Sequence, residues 1–123
     1  MYHISGKPMS KLPKAPVVFY RTSGGVEPVR EWLRSLDKKD RNAIGQDLMR
    51  LQFRWPIGMP LCRPLGQGLW EVRTSLSSNR IARVLFFADD DRIGAVHGFV
   101  KKTRKIPDDV VALARKRMKE MKK

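Results

Sequence analysis

The chain has 123 residues, 41% of them hydrophobic, which suits one domain with a modest core and excludes a wholly disordered chain. Lysine and arginine number 26 against 12 acidic residues, a net charge of +14; that points to a polyanionic partner, nucleic acid first, an anionic membrane surface second and an acidic protein third. A single cysteine, Cys62, excludes an intrachain disulfide, and no apolar run approaches the roughly 20 residues of a membrane span.

The N-terminus lacks the unbroken apolar segment of a secretory signal, so a cytoplasmic protein with no membrane partner is expected. Residues 1–16, with Pro8, Pro13 and Pro16 and little apolar periodicity, read as a flexible basic leader; residues 17–123 read as a single domain. Val17 to Tyr20 is β-branched and aromatic and predicts a first strand. Pro28 suits the first turn of a helix, and Val29, Trp32, Leu33 and Leu36 follow at helical spacing as one apolar stripe. Asp37 reads as the N-cap of a second helix in which Ile44, Leu48 and Leu51 share a face and Asp47 lies elsewhere. Trp55-Pro56 ends it. The two form a helical hairpin that needs a sheet to cover, with Trp32 and Trp55 as core anchors. Pro56 to Gly68 is rich in proline and glycine and reads as a loop, with Cys62 as buried filler.

Three apolar runs follow, separated by turn-rich clusters: Gly68 to Thr74, Arg80 to Ala88 and Arg92 to Thr103. They predict an antiparallel meander. Side chains two apart on a strand share a face, so Leu69, Glu71 and Arg73 go together, as do Ile81, Arg83, Leu85 and Phe87, and His97, Phe99 and Lys101. Consecutive hairpins then bring Arg73, Arg83, His97 and Lys101 to one side of the sheet. Charges are costly in a core, so that side is expected to face water or an anionic ligand. Asp108 and Asp109 sit in the favoured first turn of a last helix, with Val110, Leu113, Ala114, Met118 and Met121 as its apolar side.

No ligand spacing among His3, His97 and Cys62 suggests a metal, and no serine or cysteine nucleophile has a paired base; neither a metal nor a cofactor is expected. What remains is a cationic cluster with one histidine. Arginine forks match phosphate oxygens, and arginine and lysine stabilise the charge that builds when a ribose 2′-hydroxyl attacks the adjacent phosphate. His97 is the group that titrates near neutrality; it reads equally as a hydrogen-bonded structural residue. Arg73 and Arg83 have an alternative as well, pairing with Glu71 across the sheet. Arg63, Arg80, Lys101, Lys102, Arg104 and Lys105 read as phosphate anchors or as plain surface charge.

Several stretches resemble the RelE/HigB-type toxins of bacterial toxin–antitoxin pairs, in their phage-derived branch. They are Pro28-Val-Arg-Glu-Trp-Leu33, Gly68-Leu-Trp-Glu-Val-Arg73, Arg83-Val-Leu-Phe-Phe87, His97-Gly-Phe-Val-Lys-Lys-Thr103 and Lys105-Ile-Pro107. The resemblance implies an α/β (α+β) RelE-like fold: a twisted antiparallel sheet packed on an N-terminal helical hairpin, with a C-terminal helix. It implies a metal-independent mRNA endoribonuclease acting on translating ribosomes, silenced by a cognate antitoxin of helix-turn-helix type. Under it Arg73 and Arg83 are phosphate and transition-state contacts, Lys101 and Lys102 the basic pair, and His97 an acid or base. Some relatives use a C-terminal tyrosine, which this chain lacks after Tyr20. The alternatives are a ParE-like gyrase inhibitor of the same fold and a non-catalytic phage nucleic-acid-binding protein.

Overall fold

The computed structural model describes residues 15–101 and 105–123. The expected leader lies outside them except for its last two residues, and those two are not loose. Ala15 is buried, its N–H donating to the Gln52 carbonyl, and the Pro16 carbonyl accepts from Ile93 N at 2.9 Å.

Strand β1 spans Val17–Phe19, helix α1 Pro28–Ser35 and helix α2 Lys38–Arg54. Glu27 precedes α1 without capping it, because its carboxylate is drawn to Arg30 at 2.9 Å; Pro28 takes the first turn. Asp37 caps α2, accepting from Asp40 N at 2.8 Å. Trp55 ends α2 as expected and stands edge-on to Trp70 and Phe86, at 5.0 and 5.2 Å between centroids.

The stretch expected to be a loop contains a strand. β2, Cys62–Gly66, pairs antiparallel with β3, Leu69–Ser75. Pro64 is tolerated there because β2 is an edge strand, where a missing N–H breaks no inner ladder. Gly66 and Gly68 do make the turn, with φ of 95° and 85°. β4, Ile81–Ala88, and β5, Ile93–Lys101, complete the meander, and α3, Asp108–Met121, closes the chain.

The sheet order is β1-β5-β4-β3-β2. All neighbours are antiparallel except β1, which runs parallel to β5. The fold is thus the expected α+β, RelE-like arrangement with one parallel edge.

Each face of the sheet carries its own core. Under the α1–α2 hairpin lie Val29, Ile44, Leu48, Leu51, Val72, Val84, Phe86 and Ala95. Under α3 lie Tyr20, Leu69, Leu85, Phe87, Val96, Ala114 and Met118. A fully buried Leu51 or Phe86 contributes about 1.5–3 kcal/mol relative to exposure. The register slips between Leu85↔His97 and Phe86↔Ala95, so Val96 is an extra residue in β5. Both Val96 and His97 then turn toward the α3 side.

Gly98 faces the hairpin, where the ring of Trp32 occupies the space a Cβ would need. Gly98→Ala is expected to cost about 1–3 kcal/mol by overpacking, read as a lower Tm in a circular-dichroism melt. Combining it with Trp32→Leu should return part of that loss.

Candidate cationic face and its buried carboxylate

The strand phase expected for the meander holds. Arg73 is the register partner of Arg83, Arg83 of Phe99, and Ile81 of Lys101, so the basic side chains of three strands share the face that α3 covers only in part. Arg63 joins them from the edge strand, opposite Glu71.

Glu71 lies on the face that alternation assigned it, and the alternative pairing of Arg73 and Arg83 with it is what the structure shows; what spacing did not reveal is its complete burial and the third arginine. Its side chain is fully buried, and Oε1 lies 3.0 Å from Arg63 Nε and 3.8 Å from Arg73 Nε, while Oε2 lies 3.7 Å from Arg83 Nε. These are ionic contacts; neither oxygen accepts a hydrogen bond among the described residues. Arg83 is also fully buried, whereas Arg63 and Arg73 keep 37% and 27% of their side chains exposed. Burial lowers the Arg83 pKa, with Glu71 raising it and the neighbouring Arg73 and Arg63 lowering it again. The face therefore has a buried ionic floor, Glu71 with Arg83, and open cations above it.

Phe99 is a second residue that strand alternation placed on the face without marking its role. The Arg83 guanidinium lies 5.9 Å from its ring centroid, Lys101 Nζ 5.8 Å, and the His97 ring 5.8 Å. A half-buried ring flanked by cations gains cation–π attraction and offers a surface on which a base can stack.

His97 is engaged by α3. Arg117 Nη1 donates to the carbonyl of the bulged Val96 at 2.9 Å and stands 3.5 Å from His97 Nδ1. An arginine can only donate, so that contact favours the neutral ring with its proton on Nε2. Burial, then the Arg117 charge, lowers the His97 pKa, with Asp109 opposing. In this arrangement the neutral ring has no lone pair to spare for a substrate proton.

Arg80 is not on this face. Its guanidinium forks onto the buried Asp40 of α2 at 2.8 and 3.0 Å and also meets Ser77. The expectation of a phosphate anchor there is corrected by the proximity of a carboxylate 40 positions earlier in the chain, which spacing could not reveal. Asp47 is likewise turned inward, accepting from Thr74 Oγ1 at 2.7 Å and Arg50 Nη1 at 2.6 Å. Lys101 and Lys105 are exposed; Lys102 and Arg104 lie outside the described residues. Cys62 is buried and its thiol is pushed up to about 11 by desolvation, which makes it inert filler. Beside Arg73 a cleft of ≈ 510 Å³ opens between α2 and the end of β3, lined by Gln46, Arg50, Leu61 and Thr74 among others. Among the described residues no group of three His, Cys, Asp or Glu could hold a metal, and no helix is long and apolar enough to cross a membrane.

Comparison with known families places this architecture. The model described as "Phage derived protein Gp49-like (DUF891)" matches residues 31–119. The chain belongs to the phage-derived Gp49-like family. That match runs from α1 through all of the meander and nearly to the end of α3. Gp49-like proteins are associated with RelE-like toxins and are related to toxin endoribonucleases. No curated protein matches this Gp49-like chain.

Two pH dependences follow from the charges of this protein. Arg80 first, by hydrogen bonding, holds Asp40 below the usual carboxylate range. A depressed folded pKa gives stability that is complete above about pH 4 and lost as pH falls through the folded value. Arg80→Gln is therefore expected to lower the urea midpoint at neutral pH, with the gap to wild type closing in acid. For His97 the unfolded ring binds more protons between the lowered folded pKa and about 6.5, so stability falls as pH drops below about 6.5 and levels off beneath the folded value. His97→Gln should flatten that decline, measured as urea midpoints across the same range.

Proposed function

We propose that this Gp49-like protein is the toxin of a toxin–antitoxin pair and cleaves mRNA without a metal, on translating ribosomes. The observation that carries the reading is the gathering of Arg63, Arg73, Arg83 and Lys101 on one face, with a single carboxylate among them. A net charge of +14 supplies the long-range attraction to RNA.

In the proposed reaction the ribose 2′-hydroxyl loses its proton to solvent as its oxygen bonds to the adjacent phosphorus, the bond to the 5′-oxygen breaks and that oxygen takes up a proton from solvent, and a 2′,3′-cyclic phosphate remains. Negative charge builds on the non-bridging oxygens as this happens. In this reading Arg73 and Lys101 contact them, and Arg83 strengthens the field from below with Phe99 against it. His97 serves as a base only if it leaves Arg117, because Nδ1 is engaged and Nε2 is protonated in the favoured tautomer.

That same engagement, together with the burial of Arg83, favours a second reading: a ParE-like toxin of this fold that inhibits gyrase without cutting RNA. An antitoxin of helix-turn-helix type is the proposed partner in either case. The two readings separate on induction in cells. Primer-extension mapping is expected to show new 5′ ends in transcripts, with Arg73→Ala losing about 10²–10³ of the cleavage rate and Lys101→Ala losing less. Both variants should remain folded. Intact transcripts with inhibited gyrase would overturn the nuclease in favour of the second reading.

A further inference from the structure

The cluster around Glu71 holds more cations than carboxylates. Three guanidiniums, those of Arg63, Arg73 and Arg83, stand within 4 Å of one carboxylate. Residues 1–14 and 102–104 contain no Asp or Glu, so the stretches outside the described residues bring no further carboxylate to it. Lys101 adds another cation against the shared Phe99 ring. A burial this complete of Glu71 and Arg83 is costly unless the charges hold one another, and removing one partner of such a set leaves an uncompensated charge behind.

Geometry shows which charges remain available. Glu71 makes its ionic contact to each arginine at Nε, and Arg63 and Arg73 stay partly exposed. The terminal nitrogens of those two are thus left for a second anion above the first. The guanidiniums of Arg63 and Arg73 present forks that suit a tetrahedral oxyanion.

We infer that Glu71 is the positioning residue of a preformed phosphate site. Its carboxylate holds Arg63, Arg73 and Arg83 in place before any ligand arrives, and a backbone phosphate then supplies the second negative charge. The inference rests on the reading that this face receives RNA, but its ligand is the phosphate group and not a nucleotide sequence. Glu71 touches no substrate atom; it acts through the arginines, as the internal anion that lets an unoccupied cationic site fold.

The test uses inorganic phosphate as the probe, exchanged for chloride at matched ionic strength, with thermal unfolding as the readout. In chloride Glu71→Gln is expected to melt on the order of 10 °C below wild type, because three guanidiniums lose their common counter-charge. Phosphate should restore most of that loss while shifting wild type much less. Where Glu71→Gln yields too little folded protein, Glu71→Asp provides the same comparison, since it keeps the charge but withdraws it by one methylene. Lys119→Gln, remote from the cluster, should respond to phosphate as wild type does. Equal destabilisation in both buffers would overturn the inference and leave Glu71 a merely structural residue. Transcript mapping on wild type is read separately. Phosphate rescue without RNA cleavage would refute the nuclease and keep the anion site, whereas cleavage without rescue would do the reverse.

Discussion

One buried carboxylate among three arginines is the constraint on which the cationic half of the sheet face depends. A sheet face that must be both a core and a cationic surface has a conflict built in, since packing favours apolar side chains and polyanion binding favours guanidiniums. The conflict is resolved along the strands. Toward one end of β3, β4 and β5 the face carries Leu69, Leu85, Phe87 and Val96 and is sealed by α3. Toward the other it carries Arg73, Arg83, Phe99 and Lys101, with Glu71 neutralising the part that is sealed from water. The opposite face has no such division, because the α1–α2 hairpin covers it with an ordinary apolar layer.

The helix that closes the apolar end also reaches into the polar one. Arg117 takes the carbonyl that the bulge at Val96 presents and stands against His97. On its other side its guanidinium lies 5.0 Å from the Tyr20 ring centroid, and the Tyr20 hydroxyl donates to Glu120. That hydrogen bond, with burial second, raises the Tyr20 pKa. Among the described residues the one tyrosine, Tyr20, is therefore committed to holding α3, and the one histidine, His97, is held by it. Chemistry on this face, as the protein stands, comes from fixed positive charge more than from titrating groups.

Much of this could be read from the chain because the deciding signals were local. The stripe from Val29 to Leu36, the cap at Asp37 and the stop at Trp55-Pro56 each depend on a few neighbouring residues, and the alternation through Arg73, Arg83 and Lys101 needed only three short strands and their turns. What escaped depended on distance or on local signals that mislead. β2 was hidden because Pro64 and Gly66 look like loop, and only its position at the sheet edge makes them acceptable. Arg80 looked like a free cation because its partner is 40 positions away. Glu71 could be placed on the right face by alternation, but the number of arginines converging on it, one of them from the unsuspected strand, could not.

The parallel pairing at the far edge has a consequence for how the protein comes into being. Among the described residues β1 is made first, yet its only partner in the sheet is β5, made after the other strands. Until Ile93 to Ala95 emerge, Val17 to Phe19 have no ladder to join, and closing that loop spans most of the chain. During synthesis the earlier elements can collapse on one another, but the cationic surface is assembled only near the end of translation. A nascent chain of this protein therefore lacks its complete cationic face for almost the whole time it is being made.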